Sequence, residues 1–267
     1  MTKVLKKIYL GLIFFFLYAP MLTLIVFSFN NSKSRAKWGG FTLKWYAGLF
    51  QNEDIIQALI NTLLLAFLSA LIATVIGTIA ALAMNSMKRL PRTLLMGVTN
   101  IPMLNAEIVT GISLMLLFIA VQMKFGFFTI LLAHITFNIP YIILSVMPRI
   151  KNLNPSTYEA ALDLGATPLQ AFFKVVFPDI LPGVFSGMLM AFTMSLDDFI
   201  ITHFTKGAGV DTLSTKIYSQ VRKGIDPEMY ALSSIIFVTV LLLLILINIL
   251  PNTAGQKSNN KISAESK

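Results

Sequence analysis

The sequence contains no cysteine, and only 12% of its 267 residues are charged. Without cysteine the chain cannot form disulfide bonds or thiolate metal sites. The charged fraction is about half of the roughly 25% that is typical of soluble domains, so the chain lacks the polar surface that a soluble domain of this length needs. Because 56% of the residues are hydrophobic and the mean hydropathy is +0.76, the composition predicts an integral membrane protein.

Other absences exclude whole classes of function. The two histidines, His134 and His203, are too few to build a zinc centre unaided. The sequence also lacks the Gly-x-x-x-x-Gly-Lys-Ser/Thr run whose backbone amides cradle phosphates in many ATPases. We therefore expect no catalytic residue, no metal and no cofactor bound by this chain. The net charge is +9, and the basic residues lie between long apolar runs. This placement favours lipid headgroups over nucleic acid as their partner.

Six apolar runs are long enough to cross a bilayer as helices, which needs about 20 residues. Helices are expected because lipid offers no hydrogen-bond partner to the backbone. The predicted fold class is therefore an all-α polytopic membrane protein with six transmembrane helices. The runs are Ile8–Phe29, Ile55–Met84, Leu94–Met123, Phe125–Met147, Ile180–Phe204 and Met229–Leu250.

The basic residues indicate the orientation of these spans. With the N-terminus inside, most lysines and arginines fall in cytoplasmic segments, as the positive-inside rule favours. An even number of spans then places both termini in the cytoplasm. The first run has proline at the site where a signal peptidase would have to cut, so we interpret it as an uncleaved span. The small polar residues of 251–267 predict a disordered cytoplasmic tail.

The segment between the fourth and fifth runs, residues 148–179, is longer than a hairpin needs and carries helix signals. Ser156 and Glu159 have the spacing of a capping box, with Pro155 before them to bar continuation from upstream. A short helix that begins there should end near Gly165, a natural C-terminal stop.

A second short helix follows the glycine. Thr167 is a suitable N-cap residue and Pro168 suits the first helical turn. We expect this helix to run to about Val176, before Phe177-Pro178. Together the two helices form a helix–glycine–helix elbow, which we call the elbow.

The elbow resembles the signature loop of permeases from binding-protein-dependent ABC importers. The usual signature ends in isoleucine and leucine where this chain has valine and phenylalanine, both conservative replacements. The resemblance covers nearly the whole chain, because six spans with this loop between the fourth and fifth also match. The residues that carry it are Glu159-Ala160-Ala161, then Gly165, then Val175-x-Phe177-Pro178.

This resemblance implies a MetI-like importer core and a set of partners. In the family, Glu159, Ala160, Ala161 and Gly165 belong to a coupling helix that sits in a groove of an ATPase subunit. The implied partners are an ABC ATPase dimer that binds ATP and magnesium, a second permease subunit and an extracytoplasmic binding protein. The chain itself is then a non-enzymatic subunit of the bacterial cytoplasmic membrane. Its expected parts are a first span with an outer loop (1–54), the permease core (55–250) and the tail.

Three carboxylates fall inside predicted spans: Glu107 in the third run, and Asp197 and Asp198 in the fifth. No lysine or arginine lies in the interior of a span to pair with them. Each charged group at the bilayer centre costs about 2.5–3.5 kcal/mol, so such residues usually mark a functional path. We interpret them as lining an aqueous path that meets a cation. The alternative is that they are protonated, or bond to polar neighbours such as Asn100, Asn105, Thr193 and Ser195.

Small residues recur every four positions in two spans. Such stripes let a second helix approach closely, so we interpret them as packing surfaces. On a helical wheel of the fifth span, Asp198 falls in the middle of the arc that the small residues occupy, and Asp197 falls just beyond one edge of that arc. This placement predicts that both aspartates face a helix–helix seam. The stripes are Gly183, Gly187, Ala191 and Ser195 in the fifth run, and Ala73, Gly77 and Ala81 in the second.

A narrower resemblance links the chain to permeases of polyamine importers. It rests on Ser195-Leu196-Asp197-Asp198-Phe199, on the outer segment 213–228, and on Leu43-Lys44-Trp45-Tyr46. By position it implies a pathway for spermidine or putrescine lined by Trp45, Glu107, Ser195, Asp197 and Asp198, supplied by a polyamine-binding protein. The chemistry agrees, because a polycation needs separated carboxylates, and a cation over tryptophan gains about 0.5–2 kcal/mol.

Other interpretations remain open at this point. The same architecture could carry ferric ion, an organic amine or an amino acid, and a proton-coupled carrier could use Glu107 and the two aspartates as a relay. We expect His134 to be an interior histidine with satisfied hydrogen bonds. Residue types alone do not make a catalytic triad of Ser195, His203 and Asp198.

Overall fold

The computed structural model describes residues 3–32, 37–223 and 227–242. Apart from one isolated bridge between Asn30 and Phe41, the regular structure of this part of the chain is helical. A π-helical turn, Phe172–Val176, joins α8 to α9. The helices are α1 (Lys3–Ser28), α2 (Lys44–Leu49), α3 (Glu53–Ser86), α4 (Arg89–Leu104), α5 (Glu107–Ala120), α6 (Phe127–Lys151), α7 (Pro155–Asp163), α8 (Pro168–Ala171), α9 (Phe177–Asp197), α10 (Ile200–Thr205), α11 (Leu213–Lys223) and α12 (Pro227–Leu242).

The all-helical membrane class is confirmed. In the described part of the chain, four helices are long and apolar enough to span a membrane: α1, α3, α6 and the continuous helix Pro168–Asp197. The pair α4 and α5 makes a fifth if it is counted as one bent span. The sixth predicted run contributes the shorter α12 and passes outside the described residues after Leu242, as does the predicted tail 251–267.

Two apolar runs that were predicted as single helices are broken. The third run divides between α4 and α5, which are bent by 105° at Asn105 and Ala106, both in extended conformation. The fifth run divides after Asp197, because Asp198 is extended (ψ 126°) before α10 begins. The third run is longer than one span needs, so its length predicts that it tilts, breaks or protrudes. Hydropathy reports burial in lipid and not backbone direction, so it did not locate either break.

The first helix of the elbow begins two residues earlier than the predicted capping box implies, because its N-cap is Asn154 and not Ser156. α6 continues through Lys151, so the connection is shorter than 148–179. Asn154 is the N-cap of α7, and its side-chain oxygen accepts a hydrogen bond of 3.1 Å from the Ser156 amide. Pro155 is therefore the first helical residue rather than a barrier, since proline suits that position. The predicted capping box of Ser156 and Glu159 is wrong by this shift.

The end of α7 is as predicted. Gly165 has a φ of +84°, the left-handed conformation that glycine adopts without strain. The Ala166 amide donates to the Ala161 carbonyl (3.1 Å) and the Gly165 amide to the Leu162 carbonyl (2.9 Å), which is the Schellman pattern. This pattern gives a physical reason for the four-residue spacing between Ala161 and Gly165.

The second helix of the elbow starts as predicted and ends much later. Thr167 caps α8 and exchanges hydrogen bonds with Gln170 in a capping box. The helix does not stop near Val176, because the π-helical turn carries it into α9. The Phe177 amide donates to the carbonyl of Phe172, five residues back. Such a wide turn leaves the chain helical past Pro178, where an α-helical hydrogen bond would be lost.

The small-residue stripes are packing surfaces, as predicted. The described residues form two compact units, one from 3–58 with 216–242 and the other from 59–215. Within the second unit, α6 packs closely against both α9 and α3. A Cβ atom at Gly187 would lie 3.3 Å from the Cα of Ile142, and one at Gly77 would lie 2.7 Å from the Ile142 Cβ. Ala73, Ala81 and Ala191 are fully buried.

This packing predicts that alanine substitutions at two glycines have different effects on stability. Gly77→Ala should destabilise the protein by about 1–3 kcal/mol, because the new methyl group overlaps the stiff, β-branched Ile142. Gly97→Ala on α4 is the matched control, since nothing lies within 4 Å of its Cβ position and helical alanine is favoured over glycine by roughly 0.5–1 kcal/mol. Thermal unfolding in detergent should show a lower Tm for Gly77→Ala only. Equal Tm values for the two variants would contradict the close approach of α3 and α6.

Candidate functional site

Two helix breaks lie at the same end of a packed helix pair. α5 packs against α10, and a Cβ atom at Gly111 would lie 3.4 Å from the Cα of Ile201. The two helices run in the same direction, because the loop after α5 meets Gly207, beyond the end of α10. Glu107 precedes Gly111 by four residues and Asp197 precedes Ile201 by four. Glu107 begins α5 and Asp197 ends α9, so each carboxylate lies beside one of the two breaks.

Glu107 and Asp197 have accessible carboxylates. Both residues are exposed, and neither side chain makes a hydrogen bond or ion pair with a described residue. The Glu107 carboxylate interacts electrostatically with the half-buried phenol of Tyr141 on α6. Asp197 does not face a buried seam, which corrects the prediction from the stripe on α9. Two accessible carboxylates have the chemistry to attract an organic cation.

Each break brings two helix ends together. α4 ends at Leu104 just before α5 begins at Glu107, and α9 ends at Asp197 just before α10. The carbonyl end of one helix carries a partial negative charge of about half an electron, and the amide end of the next carries a partial positive charge of similar size. These two ends offset each other, so Glu107 and Asp197 supply the negative charge at the breaks.

Asp198 has a different environment from its neighbour. Its side chain is only 5% exposed. Oδ2 accepts hydrogen bonds of 2.7 Å from both the amide and the hydroxyl of Thr202, and Oδ1 accepts one of 3.3 Å from the Ile201 amide. These bonds cap the first turn of α10, whose amides have no partner within the helix. Asp198, which we predicted to lie open to a cation, points its acceptors into the protein.

His134 lies at the centre of this buried polar group. It is fully buried on α6, and its Nδ1 atom is 2.5 Å from the Ser195 hydroxyl. Its Nε2 atom is 2.9 Å from the Thr202 hydroxyl and 3.4 Å from Oδ2 of Asp198. The Ser195 hydroxyl is also 2.9 Å from that of Ser69 on α3. We call these five residues the His134 cluster.

Part of the His134 cluster was predicted from the sequence. The prediction that His134 is an interior histidine with satisfied hydrogen bonds is confirmed. Its partners Ser195 and Asp198 were singled out for another reason, as pathway residues, while Ser69 and Thr202 were missed. Asn138, four positions after His134, is also fully buried. Two polar residues on one face of an apolar helix were the sequence signal that a buried polar cluster lies there. His203 is exposed and contacts the rings of Phe199 and Phe204.

Trp45 belongs to the other compact unit and anchors its loop. The side chain is 8% exposed, and its indole N–H donates a 2.8 Å hydrogen bond to the Asn30 carbonyl. The Nζ atom of Lys44 lies 4.4 Å from the centroid of the Trp45 ring. The Lys44 ammonium therefore occupies the cation–π position over Trp45 that we predicted for a polyamine.

The indole hydrogen bond predicts a stability effect. Trp45→Phe keeps an aromatic ring but leaves the Asn30 carbonyl without its donor, which should cost about 1–3 kcal/mol. Trp38, whose side chain is 53% exposed, provides the matched control Trp38→Phe. Thermal unfolding followed by fluorescence should show a lower Tm for Trp45→Phe and little change for the control. A loss shared equally by both variants would show that the buried hydrogen bond is not its cause.

The elbow presents an exposed apolar surface. Leu164 is 89% exposed and Leu169 is 69% exposed, one on each side of Gly165. Glu159 and Ala160 are exposed and Ala161 is half-buried. The turn at Gly165 therefore presents two large apolar side chains at the surface of the elbow.

Comparisons with known proteins give a consistent result. The family described as "Binding-protein-dependent transport system inner membrane component" matches residues 73–262. The "Spermidine/putrescine transport system permease protein PotC" of Haemophilus influenzae is 36% identical over 242 residues, which are 91% of this chain and 94% of that protein. The "Putrescine transport system permease protein PotI" of Escherichia coli is 40% identical over 230 residues, 84% of this chain and 82% of that protein.

Solved structures share the fold. A chain of a bacterial ABC transporter involved in the import of the acidic polysaccharide alginate matches with a TM-score of 0.72 and 21% identity, over 94% of this chain and 95% of that one. The methionine ABC transporter MetNI in an inward-facing conformation matches with a TM-score of 0.57 and 20% identity, over 79% of this chain and 99% of that one. At this identity the likeness concerns the fold alone.

Proposed function

Because the chain belongs to the family of binding-protein-dependent transport system inner membrane components, a multi-pass membrane family, we propose that it is one permease half of an ATP-driven importer of polyamines such as spermidine and putrescine. The observation that carries this proposal is the pair of exposed carboxylates, Glu107 and Asp197, at two helix breaks beside one packed pair. The names of the PotC and PotI relatives support the same cargo.

The cargo's charge explains the arrangement. A polyamine carries ammonium groups separated by methylene spacers, so it needs carboxylates that are separate and accessible. A charge-assisted hydrogen bond is worth about 1.5–3 kcal/mol, which makes Glu107 and Asp197 the main attractive groups. In this proposal Ser195 and Asp198 border the pathway from within the protein, and Trp45 is assigned to it by the sequence resemblance alone.

The elbow would couple the pathway to a separate ATPase dimer. Glu159, Ala160 and Ala161 lie on α7, and Gly165 fixes the turn that presents Leu164 and Leu169. ATP and magnesium would bind to that ATPase and not to this chain. A second permease subunit would supply the other wall of the pathway, and an extracytoplasmic polyamine-binding protein would deliver the cargo. In this arrangement the chain lies in the bacterial cytoplasmic membrane with both termini in the cytoplasm.

Transport by the complete complex in proteoliposomes tests the proposal. Uptake of labelled spermidine should require ATP and a functional ATPase, be competed by putrescine, and be indifferent to Fe(III), to amino acids and to a protonophore. Competition by Fe(III) alone would assign a different cargo to the same architecture. Uptake that a protonophore abolishes and an inactive ATPase leaves unchanged would instead show a proton-coupled carrier.

A further inference from the structure

The break between α9 and α10 depends on the His134 cluster. α10 has only six residues, too few to form a stable helix alone. Its first amides are capped by Asp198, and its Thr202 hydroxyl contacts both Asp198 and His134. On the other side of the break, the last turn of α9 is held by the contact of Ser195 with His134. The His134 imidazole therefore contacts residues on both sides of the break, Ser195 on α9 and Thr202 on α10.

Asp197 lies in sequence between Ser195 and Thr202, the two residues that His134 contacts. It is two residues after Ser195 and immediately before Asp198, and its own carboxylate makes no hydrogen bond or ion pair with a described residue. The direction of this carboxylate is therefore set by the backbone at the break. That backbone is fixed by Asp198, whose oxygens are directed at α10 and at His134 rather than at an accessible surface.

We infer that His134 is a positioning residue, which holds Asp198 and Ser195 across the break so that Asp197 is aimed at the cargo. Asp198 then shapes the site without binding the polyamine, and the adjacent aspartates have separate roles. The inference rests on the proposed function, since it assigns Asp197 and Glu107 as the groups that meet the cation. Ser69 supports the arrangement from α3 through its hydroxyl contact with Ser195.

Thr202→Val is the sharpest variant, because valine has nearly the shape of threonine but lacks the hydroxyl that joins Asp198 to His134. In the reconstituted complex it should lower kcat/KM for spermidine and for putrescine by the same factor, about 5- to 30-fold. Thr202→Ser keeps the hydroxyl and should stay within about twofold of the parent. His134→Gln should behave like Thr202→Val, while His203→Gln, at an exposed histidine, is the control that leaves uptake unchanged.

A double-mutant cycle separates positioning from general destabilisation. If Thr202 acts through Asp197, the Thr202→Val loss should shrink to less than about twofold in an Asp197→Asn background. A loss of the same size in both backgrounds would overturn the inference, as would a Thr202→Val loss that is larger for spermidine than for putrescine. Full uptake by Asp197→Asn alone would overturn the proposed pathway itself, so the two failures are distinguishable.

Discussion

Replacing both exposed carboxylates, Glu107→Gln and Asp197→Asn, is expected to reduce ATP-driven spermidine uptake at least about 100-fold. Each replacement removes one charge-assisted hydrogen bond worth about 1.5–3 kcal/mol, and about 1.4 kcal/mol corresponds to a tenfold change in rate. Neither side chain makes a hydrogen bond or ion pair with a described residue, so the complex should still assemble. Uptake into proteoliposomes measures the loss, and size-exclusion chromatography checks assembly.

The control for this double variant is Glu53→Gln. Glu53 is an exposed acid in the first turn of α3, and its replacement makes the same change of one charge as either single replacement. It should leave uptake within about twofold of the parent, since exposed charges contribute little by themselves. Spermidine and putrescine should lose uptake by a similar factor in the double variant, because each carboxylate meets one ammonium group and both cargoes carry at least two. Near-parent uptake of both cargoes would remove the acidic pathway from the account.

Gly165→Val is expected to reduce uptake about 5- to 150-fold, although nothing lies within 4 Å of the position that its Cβ would take. The cause is the backbone: at a φ of +84° a β-branched residue is strained by about 1–3 kcal/mol. Relief of that strain would open the Schellman turn and turn α7 away from α8, which would misplace Leu164 and Leu169. ATP hydrolysis by the complex should then lose its stimulation by the loaded binding protein.

Gly165→Asn is the matched control for the valine variant. Asparagine tolerates the left-handed conformation better than other non-glycine residues, so it should preserve the turn and most of the uptake. A shared, severe loss in both variants would mean that the absence of a side chain matters at this position, as in direct contact with the ATPase. Normal uptake by Gly165→Val would contradict the role of the elbow in coupling.

Much of the fold follows from patterns that act over one or a few helical turns. Long apolar runs predict membrane helices because length and hydropathy suffice to cross lipid, and the all-helical class is confirmed. The four-residue spacing of Gly183 and Gly187 predicts close helix packing, and α6 lies against both. Gly165 and Thr167 locate the end of one helix and the start of the next, since both act on their own turn.

The rest depends on contacts between residues far apart in sequence. The breaks after Leu104 and Asp197 lie within apolar runs, so hydropathy does not locate them, although the excess length of the third run allowed for a break. The grouping of His134 with Ser195 and Thr202 requires α6 to meet both α9 and α10. Sequence alone could therefore mark Asp197 and Asp198 as unusual but could not divide their roles.

Cysteine labelling tests the central claim that Glu107 and Asp197 meet the cationic cargo. The chain contains no cysteine, so single Glu107→Cys, Asp197→Cys and Asp198→Cys variants each give one reactive site on this subunit. In the assembled complex, a thiol-specific reagent that carries a sulfonate should label positions 107 and 197, and spermidine should slow that labelling. The buried position 198 should not react.

Recovery of uptake after the negative charge is restored tests the claim most directly. Sulfonate labelling of the Asp197→Cys variant returns a negative charge to the site and should recover spermidine uptake, whereas a trimethylammonium reagent of similar size should not. If spermidine protects neither position and the sulfonate restores no uptake, the two carboxylates do not meet the cargo, and the account of the pathway is wrong.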